Sequence, residues 1–495
     1  MALGALAALA LPPLHLVPVL WLAVPGLLAL LGRQGGGWGA FRVGFWFGLG
    51  HHMVGLYWIT EAILIESARY WWLVPLAVPA LAAVLALFIA ASCALAWRFP
   101  AGWRRVAGLV GAWGLAELAR QFVATGFPWN PWGSVWAVPG LLGDVMLQPA
   151  AWVGVHGLTL ATLALAATPA LGRRAVAAGL AVLALWAVLG WWRLDTTVPP
   201  APGVTVILVQ GNVAQGQKWE RGLMAEIFQH YLALTRTAVA ATRGPAVVVW
   251  PETASPYLLD RDAAARAMIA AATRRPDGTV VPTLAGAVRF DARQRPYNSL
   301  MALAGTGAGL GAGLGAGLGA GPPVAVYDKW HLVPFGEYQP GWLPLPVEFG
   351  PGGFAAGPGP RTLVVPGLPP FGPLICYEVI FSGQVVAADR PAWLVTITND
   401  AWFGNSTGPR QHLAASRLRA VEEGLPIMRA ANTGISAGYD AFGRELGRIG
   451  MGETGTLALA LPGALPPTPF ARLGLWGPAV LALLALAAGM CRRVC

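Results

Sequence analysis

The sequence has few charged residues. Asp, Glu, Lys and Arg make up 11% of its 495 residues, whereas soluble domains usually carry about 25%. Hydrophobic residues account for 56% and the mean hydropathy is +0.57. This composition excludes a wholly soluble globular protein and indicates an integral membrane protein. The charged residues concentrate between Pro202 and Pro462, and a block of about 260 residues is large enough to bury a core of its own.

Lysine is almost absent. Among the 33 basic residues the only lysines are Lys218 and Lys329. The arginines lie at the ends of apolar runs rather than on one patch, so the net charge of +10 does not indicate a nucleic-acid-binding protein. Because arginine serves nearly everywhere a cation is needed, a retained lysine calls for a chemical explanation. A compact ammonium on a flexible stem can do what a guanidinium cannot.

Cysteine is also scarce. Cys93 lies in a predicted membrane span, and Cys491 and Cys495 lie at a predicted cytoplasmic end. Cys376 is therefore the only thiol of the polar block and has no disulfide partner there, which excludes a disulfide framework. A lone thiol of this kind is either a small buried hydrophobe or a nucleophile.

Long apolar runs flank the polar block. Crossing a hydrocarbon core of about 30 Å takes about 20 helical residues, and runs of that length lie near 2–32, 41–65, 71–97, 104–124, 147–171, 174–192 and 473–491. The first run is interrupted by Pro12-Pro13 and lacks the basic segment and cleavage site of a signal peptide. It forms one span or two. Counting it as two predicts seven spans before the polar block and one after it.

Arginine positions predict the topology of these spans. They occupy alternate short loops and tails, which the positive-inside rule assigns to the cytoplasm: Arg33, Arg42, Arg98, Arg104, Arg105, Arg173, Arg174, Arg492 and Arg493. The polar block is then expected on the periplasmic side.

Within the polar block, β-branched runs alternate with amphipathic segments. Strands are predicted at 204–210, 246–251, 279–288, 372–378 and 393–400, with helices at 220–243 and 409–424. This pattern indicates an α/β layered domain whose strands are buried on both faces. The predicted domains are a transmembrane bundle at 1–200, the α/β domain at 201–465, and a final span with a short cytoplasmic tail at 466–495.

The run "GAGLGAGLGAGLGAG" at 307–321 repeats every four residues. It has too little side chain for a core, so it is interpreted as a flexible linker or tolerated insertion. A mobile cover beside the bilayer is the alternative.

Three residues of the polar block form a chemically complete set. Glu252 ends the apolar run "VVVWPE", and the carboxyl end of a buried strand is where α/β sheets carry functional groups. Lys329 and Glu337 share the loop "YDKWHLVPFGEYQP". Taken singly, Glu252 is also compatible with a solvated strand end, and Lys329 with Glu337 is compatible with a salt-bridged structural loop. Taken together, Glu252 can move the proton of a thiol, Lys329 can stabilise a thiolate or an oxyanion, and Cys376 can attack a carbonyl carbon.

The backbone N–H of Tyr377 is the expected second oxyanion donor. Glu337 and Glu378 are expected to orient Lys329 by pairing with it.

Several motifs carry a family resemblance. "WPE", "DKWHLVPFGEY", "CYE" and "NDAWFG", in this order, resemble the nitrilase superfamily with its Glu-Lys-Cys triad. With the spans on either side, the whole chain resembles the bacterial apolipoprotein N-acyltransferases. The stretches "VQGNVAQGQKW" at 209–219 and "TGFPWNPWG" at 125–133 also match that family. The Gly-Ala-Leu repeat departs from it and lengthens the approach to Lys329.

The resemblance implies a fold and a set of site residues. The fold is an α-helical membrane bundle of about eight spans joined to a nitrilase-like α-β-β-α sandwich. The implied triad is Glu252, Lys329 and Cys376. Further matching positions are Trp219, Glu337, Tyr377, Glu378 and Trp402.

It also implies a reaction. An acyl chain passes from a membrane phospholipid to Cys376 as a thioester, and then to the α-amino group of a diacylglyceryl-cysteine apolipoprotein, without a cofactor. The expected location is the bacterial inner membrane, with the catalytic domain in the periplasm. Two other readings stay open: a membrane-tethered nitrilase-like amidase acting on a small amide, and a transporter or scaffold with an inactive domain.

Other polar and aromatic positions receive structural interpretations. Asn399 and Asp400 are expected to form a turn, with pocket lining as the alternative. The aromatic cluster Phe127, Trp129 and Trp132 is expected to anchor at the membrane interface, with contact to a lipid chain as the alternative.

Two polar pairs in the apolar runs receive similar readings. Glu117 and Arg120, three residues apart, are expected to form a helix-surface ion pair. The His51-His52 pair has no acidic or cysteine partner at ligand spacing, so no metal site is predicted.

Overall fold

The computed structural model describes residues 1–65, 67–218, 220–304, 321–341, 343 and 353–490. Trp219, nearly all of the Gly-Ala-Leu repeat, and the two C-terminal cysteines lie outside these residues.

The N-terminal half is helical, in keeping with its apolar runs. Its helices are α1 Ala2–Ala8, α2 Leu20–Gly32, α3 Gly37–Gly55, α4 Ile59–Ile65, α5 Ser67–Tyr70, α6 Val74–Trp97, α7 Trp103–Ala119, α8 Leu141–Met146, α9 Ala150–Ala167 and α10 Arg173–Leu194. The first predicted run thus contains two helices, α1 and α2, on either side of Pro12-Pro13.

The C-terminal helix α15, Trp476–Met490, returns to pack against α7 and α9. Small residues allow this close approach: a Cβ on Gly111 of α7 would lie 2.4 Å from the carbonyl oxygen of Ala482. We call α1–α10 and α15 the bundle. Among the described residues, three helical stretches are long and apolar enough to cross a membrane: Ser67–Trp97, Ala150–Leu171 and Arg173–Leu194.

The polar block forms the expected α/β architecture. Its strands are β1 Thr205–Gln210, β2 Ala246–Val249, β3 Thr283–Phe290, β4 Pro296–Leu303, β5 Ala325–Asp328, β6 Phe371–Ile375, β7 Trp393–Thr398, β8 Ile427–Ala431, β9 Ser436–Tyr439, β10 Glu445–Ile449 and β11 Gly455–Ala460. Its helices are α11 Met224–Ala241, α12 Ala263–Ala272 and α13 Gly408–Glu423, and a short helix α14, Pro469–Leu473, leads into α15. We call β1–β11 with α11–α13 the α/β domain.

The strands form two sheets. One has the order β11-β1-β2-β3-β4-β5 and the other β10-β9-β8-β7-β6. The pairs β1-β2, β2-β3, β6-β7 and β7-β8 are parallel. Parallel strands need crossover connections, and α11, α12 and α13 supply helices for them.

Both faces of the central strands are buried. In β1, Val206 and Leu208 pack into a core between the two sheets, and Ile207 and Val209 pack under α11 and α12. The second sheet is covered by α13 and by residues of the bundle. Because each strand faces apolar side chains on both sides, its sequence is a continuous apolar run rather than an alternating one.

The loop after α7 folds between the bundle and the α/β domain, and the prediction that Trp129 and Trp132 anchor at the membrane interface was therefore wrong. Trp129 and Trp132 are only 4% and 2% exposed. The Trp129 ring packs on Trp58 at 4.6 Å, and its indole N–H donates to Gln411 of α13. These aromatics bury an internal interface instead of standing at the lipid surface.

The expected surface ion pair in α7 was also wrong. Glu117 is buried and accepts hydrogen bonds from the Thr159 hydroxyl at 2.6 Å and the Trp132 N–H at 3.2 Å. Arg120, equally buried, donates to the carbonyl oxygen of Trp129. The two side chains serve neighbouring segments because α7 lies inside the bundle.

Candidate active site

Three strand ends meet at one edge of the α/β domain. Glu252 follows β2, Lys329 follows β5 directly and Cys376 follows β6 directly. Strands β2 and β5 run in the same direction because β3, β4 and β5 pair antiparallel in succession. The topology therefore gathers residues that are 124 positions apart in the sequence.

Lys329 lies between two carboxylates. Its side chain is 1% exposed, and its Nζ is 2.9 Å from Glu337 Oε1 and 3.4 Å from Glu252 Oε1. Glu337 Oε2 in turn accepts the N–H of Val333 at 2.8 Å. Burial lowers the pKa of the Lys329 ammonium, but the two carboxylates outweigh it, and the pKa lies above its ordinary range. The group therefore stays charged at neutral pH.

Glu252 is held by donors from three elements. Its Oε1 accepts the side-chain amide of Asn298 in β4 at 2.7 Å, and its Oε2 accepts the backbone N–H of Asn399 at 2.8 Å. The Asn298 amide also donates to Glu337 at 3.0 Å, so it ties the two carboxylates together. These donors fix the position of both carboxylate oxygens of Glu252. Asn298 was not predicted, although a polar amide inside an apolar strand is unusual enough to mark it.

Cys376 is the first residue of the turn Cys376–Ile380. Its φ is +52°, a left-handed conformation that is uncommon for residues other than glycine and typical of functional sites. The residue is 7% exposed and faces the core between the two sheets. The sharp turn after β6 thus presents the thiol at the same edge as Glu252 and Lys329.

The thiol is protonated in the resting site. Burial raises the pKa of Cys376 well above its ordinary range, and the Glu252 carboxylate raises it further. Lys329 acts in the opposite direction without offsetting them. A nucleophile in this state needs a base to take its proton during attack, and Glu252 is the carboxylate at hand.

Two more buried groups support the backbone around Cys376. His412 of α13 lies with its Nε2 3.0 Å from the Cys376 carbonyl oxygen, so this nitrogen donates. The other ring nitrogen is 3.0 Å from Asp400, which also pairs with Arg429 at 2.6 Å. Burial opposes ionisation of Asp400, but Arg429 and His412 lower its pKa below the usual range.

Asn399 and Asp400 do more than form the expected turn. Asp400 begins the turn Asp400–Phe403, as predicted, but its carboxylate is buried in the network just described. The Asn399 side chain bridges Gln215, at 2.7 Å, and Asn432, at 2.9 Å. The pair therefore connects the site to α13 and to the loop after β1.

Glu378 does not pair with Lys329, contrary to expectation. One carboxylate oxygen accepts the N–H of Ile375 at 2.7 Å and the Tyr327 hydroxyl at 2.9 Å, and the other accepts the N–H of Trp330 at 2.8 Å. Burial raises the pKa of Glu378 to about 7, and these backbone donors act in the opposite direction. Glu378 thus ties the Cys376 turn to the loop that carries Lys329.

Tyr377 and Trp402 flank this centre. The Tyr377 hydroxyl donates to the carbonyl oxygen of Gly126 at 2.8 Å, which links the Cys376 turn to the loop after α7. Trp402 is half-buried in the turn Asp400–Phe403. The predicted position Trp219 lies outside the described residues.

Lys218 also reaches the centre, and its role was not predicted. It is 6% exposed, and its Nζ donates to the backbone carbonyl of Glu252 at 2.8 Å. The signal that identified Lys329, a lysine in a chain that otherwise uses arginine, applies equally to Lys218.

Comparisons with known proteins agree over nearly the whole chain. Residues 3–168 match the family described as "Apolipoprotein N-acyltransferase N-terminal domain", and residues 207–464 match "Carbon-nitrogen hydrolase". A curated apolipoprotein N-acyltransferase of Bradyrhizobium diazoefficiens is 40% identical, with 99% of this chain and 94% of the relative covered. One of Rhodopseudomonas palustris is 37% identical with the same coverage.

Among solved structures, the carbon-nitrogen hydrolase of Helicobacter pylori G27 aligns with 52% of this chain and 87% of its own. The identity is 14% and the TM-score is 0.36.

Proposed function

The chain belongs to the apolipoprotein N-acyltransferase family, and from this premise we propose that Cys376 carries the acyl chain as a thioester, with Glu252 as the base and Lys329 as the oxyanion cation. The protein is an acyltransferase that N-acylates apolipoproteins. The proposal concerns how its own residues perform that transfer.

In the first half-reaction, Glu252 takes the thiol proton as the Cys376 sulfur attacks the ester carbonyl of a phospholipid. The Lys329 ammonium and the Tyr377 N–H stabilise the oxyanion of the tetrahedral intermediate. The carbon–oxygen bond then breaks, and Glu252 returns the proton to the departing lysophospholipid alkoxide. The products are an acyl-thioester on Cys376 and a lysophospholipid.

In the second half-reaction, the neutral α-amine of a diacylglyceryl-cysteine apolipoprotein attacks the thioester carbonyl. Glu252 accepts the proton of this amine, the carbon–sulfur bond breaks, and the proton returns to the Cys376 thiolate. An ester is converted into an amide and the enzyme is restored. A thioester is reactive enough for an amine, and a site that limits water suppresses hydrolysis.

The observation that carries the proposal is the position of Lys329 between Glu252 and Glu337, beside Cys376. A buried ammonium between two carboxylates is fixed in position and in charge, which is what an oxyanion donor needs. A purely structural ion pair would not require a protonated thiol and a strained turn at the same place.

Supporting roles follow from the contacts. Glu337 orients Lys329, Glu378 fixes the Cys376 turn to the Lys329 loop, and Tyr377 fixes it to the loop after α7. We assign Trp402, and Trp219 by resemblance alone, to substrate contact.

We further infer about eight membrane segments, seven in residues 1–200 and one in residues 466–495, with the catalytic domain at 201–465 in the periplasm. The three long apolar helices and the shorter apolar helices Val17–Gly32 and Trp476–Met490 account for five of these segments, whereas α1 with seven residues accounts for only part of a crossing. The alternation of arginines supports the orientation in a bacterial inner membrane.

The test is mass spectrometry of protein purified from membranes. We expect an acyl mass on the peptide containing Cys376, sensitive to hydroxylamine as thioesters are. The adduct should be absent from C376A, present in the matched control C93A, and discharged by a diacylglyceryl-cysteine peptide. Labelled phospholipid that leaves no label on the protein, together with hydrolysis of a small amide, would favour the amidase instead.

A further inference from the structure

Lys218 lies against the catalytic base from the side opposite its carboxylate. It belongs to the loop that follows β1, and its ammonium donates to the backbone carbonyl of Glu252 at 2.8 Å. The carboxylate of the same residue contacts Lys329, Asn298 and the Asn399 N–H. The two lysines of this chain thus hold Glu252 from two directions.

The backbone of Glu252 needs such a restraint. The chain pairs with β3 before and after this residue, through the Trp250 N–H to the Leu284 carbonyl at 2.8 Å and the Ser255 N–H to the Gly286 carbonyl at 3.0 Å. Between these bonds it bulges out of the ladder, and Thr253 takes a φ of +47°. A β-branched residue in that region is a conformational outlier, which persists only when its surroundings enforce it.

The ammonium also brings charge into a buried site. Among the described residues, no carboxylate lies within ion-pair distance of Lys218, so no ion pair neutralises its charge. Burial lowers the pKa of Lys218 to about 8, while Glu252 and Cys376 act in the opposite direction. The ammonium therefore places a positive charge close to both Glu252 and Cys376.

We propose that Lys218 is a positioning residue for the general base: it fixes the backbone turn that aims the Glu252 carboxylate, and it places a positive charge beside the residue. The inference rests on the proposed role of Glu252. It explains why lysine is retained at both positions, since an arginine at 218 would bring a longer, planar head to a single carbonyl acceptor.

The test compares K218M with R221M, which removes an exposed cation from the same loop. The rate of Cys376 acylation is measured against pH and phospholipid concentration in the full-length protein. We expect K218M to lower the maximal rate about 10- to 100-fold, the range for a lost hydrogen bond to a charged group, with the KM for phospholipid within about twofold.

The pH profile separates positioning from general destabilisation. The titratable groups that face Glu252 and Cys376 include Lys329, Glu337, Asp400, Tyr377 and Lys218. Because K218M removes a positive charge from this cluster, the acidic limb of the profile should move to higher pH in that variant. R221M should leave both the rate and the limb in place.

The outcomes are distinct. If K218M leaves both the acidic limb and the rate unchanged, this inference is overturned and the proposed function is not. If the unmodified protein carries no Cys376 adduct, the proposed function and this inference are both overturned. If too little K218M protein is recovered, the same rate and pH profile are measured on K218Q. Its shorter neutral side chain keeps a polar group in the cavity. Its acidic limb should shift upward as well.

Discussion

The surroundings of Cys376 keep its thiol protonated in the resting site. Burial raises the pKa of the thiol, and the neighbouring Glu252 carboxylate, which is held by an amide, a backbone N–H and Lys329, raises it further. The proton therefore stays on the sulfur. Such a pair keeps the cysteine unreactive toward water-borne electrophiles until a substrate carbonyl is in place.

This resting protonation of the thiol predicts that E252Q has opposite effects on two reactions of Cys376. The carboxylate raises the pKa of Cys376, so its removal lowers that pKa, and alkylation by iodoacetamide near pH 7.5 should become faster. Acylation by phospholipid should instead fall by about 100-fold or more, the usual contribution of a general base.

Both rates are followed on the peptide that contains Cys376, which separates it from the other cysteines. E226Q, an exposed change in α11, is the matched control and should leave both rates unaltered. Slower alkylation in E252Q would contradict the assigned resting protonation.

At the scale of elements, the site depends on how β2 and β3 pair. The bulge at residues 251–254 exists because β3 approaches it with a glycine. A Cβ on Gly286 would lie 2.2 Å from the Pro251 carbonyl oxygen and 2.8 Å from the Glu252 Cα. Both neighbours are backbone atoms, so neither can rotate away.

We therefore expect G286A to displace the Glu252 turn and to reduce Cys376 acylation by about 100-fold, since small misplacements of a catalytic group have effects of that size. G222A is the control, because nothing in the described part of the chain lies within 4 Å of a Cβ at that position. Acylation by each variant is measured at matched protein yield and membrane content. A G286A enzyme as active as G222A would show that the turn tolerates displacement.

At the scale of the molecule, polar groups of α13 join the α/β domain to the bundle. Gln411 Oε1 accepts the indole N–H groups of Trp58 at 3.0 Å and Trp129 at 2.8 Å, and its amide lies 3.3 Å from the Gly55 carbonyl. Asp144 of α8 pairs with Arg417 at 2.6 Å. The α/β domain is thereby fixed against the bundle.

Replacing Gln411 tests this coupling. Q411A leaves two buried indole N–H groups without their acceptor, and each unsatisfied group costs about 1–3 kcal/mol. The expected result is a lower melting temperature in detergent and faster proteolysis at the junction of the bundle and the α/β domain. Q229A, an exposed change on α11, should melt like the unmodified protein. Equal melting of both variants would mean that the interface does not depend on this side chain.

Much of the architecture could be read from local patterns. The apolar runs predicted a helical region, and β-branched runs predicted the α/β domain, because burial on both faces of a strand leaves a continuous apolar signal. The rarity of lysine drew attention to Lys329. The orientation in the membrane and the catalytic roles remain predictions.

The predictions that were wrong involve contacts between distant segments of the chain. Trp129 was predicted to anchor at the membrane interface and Glu117 to form a helix-surface ion pair, because a sequence carries no signal that these segments will be covered by α13 and α9. Glu378 was assigned to Lys329 on charge alone, yet its oxygens are occupied by backbone and hydroxyl donors.

The sequence alone therefore determined the element types and supplied the candidates for the reacting groups, since periodicity and residue chemistry are local properties. Only the tertiary structure decided which buried partner each polar group meets. That choice depends on chain crossings between residues hundreds of positions apart, where the need to satisfy every buried charge and N–H selects the partner.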